Sequence, residues 1–129
     1  MIWKIHNALT EDSIINDLVG GRIKFYEYPE AKDMKETHII IDPLSPPQPG
    51  DYADNTWLTD DYLLQVDVWS KSMEERDLIA STIRNIMLKK LGFRQYGGNG
   101  IDEWDKEYDI FRDARRYRGK AYRKDFNNL

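Results

Sequence analysis

The sequence predicts an α+β fold, a mostly antiparallel four- to five-stranded sheet with short N-terminal helices and one long amphipathic helix packed on it. Three observations predict it. Apolar residues alternate with period two over 61–70, a capped helical stripe follows directly, and a glycine-rich turn precedes an aromatic strand pattern. The chain has 129 residues, a length typical of one domain, so we expect residues 1–129 to form a single domain.

Two short helices are expected ahead of the sheet. Apolar residues recur at helical spacing near the start of the chain, at Ile2, Ile5, Ala8 and Leu9. We predict that Thr10 caps a second helix, because a hydroxyl there can accept a hydrogen bond from an unpaired backbone N–H group. That helix carries Ile14, Ile15 and Leu18 and ends at Gly20-Gly21.

The first two strands are predicted to be short. Ile23 and Phe25 alternate with polar neighbours until Pro29 interrupts the pattern. A second strand is expected over 38–42, where three consecutive isoleucines precede Pro43. An unbroken β-branched run of this kind suits a strand that is covered on both faces.

Residues 44–59 are predicted to form a long loop without regular structure. They contain three prolines together with Gly50, Asp54 and Asn55, residue types that favour turns. A loop of this length in a compact domain usually carries function. Pro46-Pro47-Gln48-Pro49 matches the PxxP ligand pattern, but the pattern is common, so we interpret it as a stiff extended linker.

The strongest strand and helix signals are adjacent. Over 61–70, one face carries Tyr62, Leu64, Val66 and Val68, and we expect that face to be core. Ser72 and Glu75 form a capping box, in which each side chain accepts a hydrogen bond from the other residue's backbone N–H group. Gly92 is the expected residue after the last helical turn. Between these ends runs an apolar stripe of Ile79, Ala80, Ile83, Ile86, Met87 and Leu91.

A hairpin is predicted in the C-terminal third. Phe93 and Tyr96 begin one strand, and the glycine-rich residues 97–100 supply the positive φ angles of a tight turn. The return strand is expected from about Trp104 to Tyr122, with a bulge, or a turn at 118–120, correcting a slip in its alternation. Residues 125–129 are expected to be frayed.

The net charge of −4 conceals an uneven distribution. Residues 112–124, which we call the basic segment, contain seven Lys or Arg and one acid. This net +6 leaves −10 for the remainder of the chain. Complementary charges orient association, so a self-assembling subunit could use this asymmetry to dock head to tail. A solvated basic strand is the alternative interpretation.

The residues give little support to metal binding or catalysis. The chain has no cysteine, which excludes thiol catalysis and iron–sulfur clusters. His6 and His38 lie far apart in the sequence, and the aspartates of 51–61 do not follow the spacing of a calcium loop. No serine has the setting of a nucleophile. We predict no enzyme activity, no metal and no cofactor.

Nucleic-acid chemistry stays open as an alternative. Tyr117 and Tyr122 interleave the basic segment, and a basic strand with aromatics can hold phosphates and stacked bases. The negative net charge opposes that interpretation. Glu30-Ala31-Lys32, with Asp17 or Asp42, could imitate the site of a metal-dependent nuclease, but it follows a proline that ends a strand.

The sequence of 64–71, running into the capped helix, resembles a known family. Leu64-Gln65-Val66-Asp67-Val68-Trp69-Ser70-Lys71 is similar to a motif of the small tail-completion proteins of long-tailed, siphovirus-like phages and prophages, also called tail terminators or tail-to-head joining proteins. The resemblance extends to 18–23, to the proline-rich loop and to Arg115-Arg116-Tyr117-Arg118-Gly119. It covers most of the chain.

The resemblance implies a mechanical role. A protein of this family forms a ring, commonly a hexamer, on the last ring of the tail tube, where it stops tail growth and joins the tail to the head connector. Its partners would be other copies of itself, the tail tube protein and a head connector or neck protein. No cofactor, membrane or specific nucleic acid is expected. The protein would act in the host cytoplasm during assembly and in the virion afterwards.

We expect the subunit interface to lie on the sheet. The candidate residues are Trp57, Asp67, Trp69, Arg112, Arg115, Arg116, Tyr117 and Arg118. Tryptophan favours interfaces because it buries a large area and keeps a polar group. We hypothesise that the 44–59 loop and the 112–124 strand form opposite sides of the ring contact. Another head–tail neck adaptor is the main alternative function, and a small nucleic-acid-binding protein is a further one.

Overall fold

The computed structural model describes residues 1–98 and 100–122. Within them, three α-helices accompany seven strands and a 3-10 turn at Ala31–Asp33. The helices are α1 (Ile2–Thr10), α2 (Ser13–Leu18) and α3 (Met73–Leu91). The strands are β1 (Ile23–Phe25), β2 (His38–Pro43), β3 (Gln48–Ala53), β4 (Thr56–Ser70), β5 (Arg94–Gln95), β6 (Ile101–Asp105) and β7 (Ile110–Tyr122). The α+β class is confirmed, but the predicted four to five strands are too few.

The strands form one mixed sheet in the order β1-β2-β4-β7-β5. β3 pairs with β4 beside β2, and β6 pairs with β7 beside β5. Every pair is antiparallel except β1 with β2, which is parallel. A parallel pair needs a long crossover, and residues 26–37 provide it. The sheet is therefore mixed because of one short edge strand.

The predicted loop over 44–59 was wrong for most of its length. β3 and the first half of β4 form a hairpin there, which we call the arm (48–61). Asp54 and Asn55 both have positive φ angles, 49° and 64°, as a two-residue type I′ turn requires. Pro49 is tolerated because β3 is an edge strand. Only 44–47 interrupt the pairing, standing opposite residues 62 and 63 of β4.

The strand-to-helix unit agrees with its prediction. Leu64, Val66 and Val68 are buried in the core. The predicted stripe of α3 is buried from Ile79 to Met87, and Leu91 is partly buried. These residues meet Phe93, which lies between α3 and β5, and the buried side chains of α1, α2, β2 and β7, including Ile5, Leu9, Ile15, Ile39, Ile41 and Tyr117. The core therefore lies between the three helices and one face of the sheet.

Only half of the predicted capping box forms. Ser72 Oγ accepts a hydrogen bond from the Glu75 N–H group at 3.2 Å, and Gly92 ends the helix with a φ of 70°. The Ser72 N–H group donates instead to Ser70 Oγ at 3.1 Å. The Glu75 carboxylate is taken by the hydroxyls of Ser70 and Thr37, both buried. Tertiary hydrogen bonds have thus replaced the local one.

The cap of α2 also differs from its prediction. Thr10 is the last residue of α1, where its hydroxyl donates to Asn7 O at 3.1 Å. Asp12 is the N-cap, because its Oδ1 accepts from the N–H groups of Ile14 and Ile15. An aspartate carries a negative charge that also suits the positive end of the helix.

The C-terminal hairpin has a different turn from the predicted one. Residues 106–109 separate β6 from β7, with Asp109 at a φ of 53°. β7 then runs through 118–120 without the predicted turn. β5 and β6 share one edge of β7, β5 against 117–118 and β6 against 110–114. The predicted frayed end at 125–129 lies outside the described residues.

None of the helices in 1–98 and 100–122 combines the length and the apolar character needed to span a bilayer.

Candidate subunit interface

The candidate residues concentrate on the sheet face opposite the helices. Because side chains alternate along a strand, Asp67 and Trp69 face away from the core that holds Val66 and Val68. Arg112, Arg116 and Arg118 of β7 face the same way. We call this surface the open face. Part of it is covered by the 26–37 crossover of the same chain.

Asp67 has no exposed surface and is fully paired within the subunit. Its Oδ2 accepts from Arg112 Nε at 2.7 Å and from Trp69 Nε1 at 3.2 Å, and its Oδ1 accepts from Gln65 Nε2 at 2.9 Å. A buried carboxylate needs such partners, since burial without them is strongly unfavourable. Asp67 therefore holds Gln65, Trp69 and Arg112 in place and is itself not exposed to a neighbouring molecule.

Arg112 and Trp69 join the open face to the crossover. Tyr28 packs against Trp69 with ring centroids 5.6 Å apart, and the Arg112 guanidinium lies 5.9 Å from the Tyr28 ring centroid and 5.8 Å from that of Trp69. Burial, aided by the charges of Asp67 and Asp42, raises the pKa of Tyr28 to about 12. The Tyr28 hydroxyl therefore stays protonated and donates to Asp42 Oδ2 at 3.3 Å. The Trp69 side chain therefore packs against Tyr28 and Arg112 of its own chain.

The basic segment is largely neutralised inside the subunit. Arg115 pairs with Asp113 at 3.1 Å, Arg118 with Asp61 at 3.9 Å and Lys120 with Asp51 at 2.6 Å. Arg112 pairs with Asp67 and, at 3.6 Å, with Glu103. Arg116 contacts Gln65 Oε1 at 3.5 Å. Arg123 and Lys124 lie outside the described residues. The charge excess along the sequence is thus not a bare positive surface.

Arg115 and Tyr117 point toward the helices. Tyr117 is 1% exposed and belongs to the core, so it cannot meet a neighbouring subunit through its ring. Arg115 neutralises Asp113, whose pKa is raised chiefly by burial. Replacing Arg115 by an acid would set two carboxylates together and disturb folding before assembly. The exposed Arg116 and Arg118 remain as candidates.

Trp57 lies on the arm, which presents aromatic side chains to solvent. Tyr52 is 68% exposed, Trp57 36% and Tyr122 67%, and pairing places all three on one face. Trp57 Nε1 donates to Asp60 Oδ1 at 3.2 Å. Pairing of 59–61 with 120–122, and the Lys120–Asp51 contact, put the arm and the end of β7 at the same end of one subunit. The hypothesis that these segments form opposite sides of a ring contact stays a prediction.

The structure contains a charged hairpin that was not predicted from the sequence. Residues 102–109, which we call the acidic hairpin, hold five Asp or Glu and one Lys. Beside it, an open cleft of about 420 Å³ is lined by Trp69, Trp104 and Arg112 among others. The acidic run Asp102-Glu103-Trp104-Asp105 is visible in the sequence. The return strand was nevertheless expected to run without interruption from about Trp104 to Tyr122.

The metal and nuclease alternatives gain nothing from the geometry. Among the described residues, no group of three or more His, Asp or Glu side chains lies close enough to hold a metal ion. Glu30 and Lys32 pair with each other at 3.7 Å and are exposed. His6 packs between Trp3 and Phe25, and the His38 ring contacts Glu36 O at 2.8 Å.

The fold is similar to that of a chain in the virion of a native gene transfer agent (GTA) particle. The two structures superpose with a TM-score of 0.63 over 92% of each chain, at 14% sequence identity. No protein-family model matches the sequence, and no curated protein matches it. At this identity the likeness establishes a shared fold, and function has to be inferred from the surfaces.

Proposed function

We propose that this chain is a structural protein of a phage-like virion, and specifically a tail-completion subunit. It caps the tail tube, ends tail growth and joins the tail to the head connector. The observation that carries the proposal is the shared fold with a virion chain, which extends over nearly the whole length of both molecules. The motif at 64–71 supports the same role from the sequence side.

The surfaces support contacts with proteins. The arm exposes aromatic side chains, which are favoured in interfaces, on a hairpin fixed by a type I′ turn. The open face carries Arg112, whose orientation is set by the buried Asp67, and the exposed Arg116 and Arg118. We propose that the subunit assembles as a ring, with six copies as the expected number, between the tail tube protein and a neck protein. Its place is the host cytoplasm during assembly and then the virion.

Another neck adaptor is the second candidate function. The likeness to a virion chain fits an adaptor as well as a terminator, because both work through surfaces at the head–tail junction. Nucleic-acid binding is less favoured, since Arg112, Arg118 and Lys120 each pair with an acid of their own chain. The triplet at 30–32 gives a nuclease no support.

Deletion of the gene from its parent phage or particle separates the two candidates. A tail-completion protein is needed to stop growth, so its loss should give headless tails of uncontrolled length in electron micrographs. Loss of an adaptor should give tails of normal length beside unjoined heads. Normal particles would refute both, and a plasmid copy of the wild-type gene is the control that must restore assembly.

A further inference from the structure

We propose that two copies of this chain dock head to tail, with the acidic hairpin of one copy seated against a basic corner of the next. The basic corner consists of Lys89, Lys90, Arg94 and Arg118, at the C-terminal end of α3 and around β5. The inference rests on the proposed ring, but it concerns the self-contact alone. It can fail while the proposed function stands.

The basic corner is unusual because like charges are paired within it. Arg94 of β5 lies directly opposite Arg118 of β7 in an antiparallel ladder, and like charges in that position are destabilising. Lys89 and Lys90 are exposed in the last turn of α3, which ends beside β5. One acid, Asp61, reaches Arg118, at the long distance of 3.9 Å. An acidic partner would relieve this repulsion.

The acidic hairpin is held rigid by the rest of the subunit. Arg76 of α3 is 4% exposed and pairs with Asp102 at 2.6 Å. Trp104 stacks on Phe111 and donates from Nε1 to Asp109 Oδ1 at 2.8 Å. Asp105 Oδ1 accepts from the backbone N–H groups of residues 107 and 108. A preorganised hairpin loses little entropy on docking.

The two surfaces lie far apart on the molecule. β7 begins at the acidic hairpin with Ile110 and reaches the basic corner at Arg118, a distance of roughly 26 Å at about 3.3 Å per residue. α3 likewise begins near the hairpin, at Arg76, and ends at the corner. One subunit therefore cannot pair its own two ends. A head-to-tail contact between different surfaces generates a ring when its rotation closes.

Charge complementarity favours a second copy as the occupant. The corner has four positive charges, of which Arg118 also pairs with Asp61. The hairpin, with five acids and one lysine, has a net −4, and its Asp102 and Glu103 also pair with Arg76 and Arg112 of the same chain. Every copy supplies both surfaces. A nucleic acid is the competing occupant of the corner, but it would leave the acidic hairpin unexplained.

Charge-swapped variants test the contact. One variant, Glu103→Lys with Glu107→Lys, brings the hairpin from a net −4 to zero, and the other, Lys89→Glu with Lys90→Glu, brings the corner from +4 to zero. All four side chains are exposed, so circular dichroism should show both variants folded. We expect the wild-type chain to self-associate at low salt in analytical ultracentrifugation and to dissociate at high salt. Each variant alone should remain monomeric.

Mixing the two variants is the decisive experiment. An equimolar mixture combines the unchanged corner of the first variant with the unchanged hairpin of the second, so one wild-type contact is restored and the two variants should associate as a one-to-one dimer. The control is Asp17→Lys with Glu27→Lys, which changes the net charge by +4 at exposed sites elsewhere, as the first variant does, and should associate like the wild-type chain.

Four outcomes would overturn the inference. These are a wild-type chain that stays monomeric at low salt, single variants that still associate, a mixture that does not, and a labelled DNA duplex that binds the corner without any effect on association. The proposed function fails separately, on tail length in the gene deletion. Uncontrolled tails together with an insensitive self-contact would leave that function standing and reject these two surfaces.

Discussion

Two buried side chains, Asp67 and Tyr117, limit what the sheet can present to a partner. Both were expected at the interface, and both are internal. Asp67 is enclosed by Gln65, Trp69 and Arg112, which it orients. Tyr117 lies opposite Leu64 and packs under α3. Of the exposed residues that remain, Arg116 contacts Gln65 at the edge of this buried network, and Arg118 contacts Asp61 and the Tyr96 ring.

Tyr117 should make stability depend on alkaline pH. Burial raises its pKa from 10.0 to about 12, so the folded state keeps a proton that the unfolded chain releases above pH 10. Deprotonation therefore stabilises the unfolded state, and the free energy of unfolding should fall between pH 10 and 12, by about 2 to 3 kcal/mol at most. Tyr117→Phe should weaken this fall, as measured by urea unfolding across that range.

The control for this prediction is Tyr52→Phe, on the exposed arm. It should lose stability with pH in parallel with the wild-type chain. Equal slopes for Tyr117→Phe and wild type would show that burial of the Tyr117 hydroxyl does not govern the alkaline limb.

β7 is the element around which the rest is arranged. It pairs with β4 along nearly its whole length and with β5 and β6 on its other edge. Gly119 was expected to mark a turn, but here it lets the Phe93 ring pack on the strand. A Cβ at this position would lie 2.2 Å from Phe93 Cδ1. The glycine serves close packing between the sheet and the chain that leaves α3.

Gly119→Ala should destabilise the fold by overpacking, at a cost of about 1 to 3 kcal/mol in the free energy of unfolding. Chemical denaturation measures it. Combining the change with Phe93→Leu should cost less than the sum of the two single changes, because the smaller side chain makes room.

Gly21→Ala is the matched control, since an added Cβ there meets no atom within 4 Å among the described residues. It should leave stability nearly unchanged. A Gly119→Ala variant as stable as wild type would mean that Phe93 moves aside at no cost.

At the scale of the whole molecule, charge is arranged in poles rather than as a uniform field. The net charge of −4 includes an acidic hairpin at the start of β7 and a basic corner at the end of α3. Elsewhere on β7, Arg112, Arg115 and Lys120 are paired with acids of the same subunit. This distribution favours oriented contact between proteins over binding to a polyanion, because a polyanion would be repelled by most of the surface.

The protein should bind duplex DNA weakly at low salt, and it should not bind at physiological ionic strength. Fluorescence anisotropy with a labelled duplex at two salt concentrations measures this. Asp51→Asn with Asp61→Asn removes the partners of Lys120 and Arg118, and should strengthen binding at low salt if pairing is what suppresses it. Tight, steeply salt-dependent binding by the wild-type chain would favour the nucleic-acid alternative.

Local sequence signals are sufficient to predict the strand-to-helix unit of β4 and α3. The alternation at 62–68, the Ser72 cap and Gly92 are local signals, and each was read correctly from neighbours a few residues apart. The α+β class and the buried stripe of α3 follow from the same short-range periodicities.

Tertiary structure alone decided which surfaces are free. The arm at 48–61 is regular because β3 pairs with β4, although its composition is that of a loop. Asp67 and Tyr117 are hidden because the 26–37 crossover and α3 cover opposite faces of the sheet, and the basic segment is neutralised by acids from distant strands. Periodicity fixes which residues share a face, whereas burial and pairing depend on what packs against that face from elsewhere in the chain.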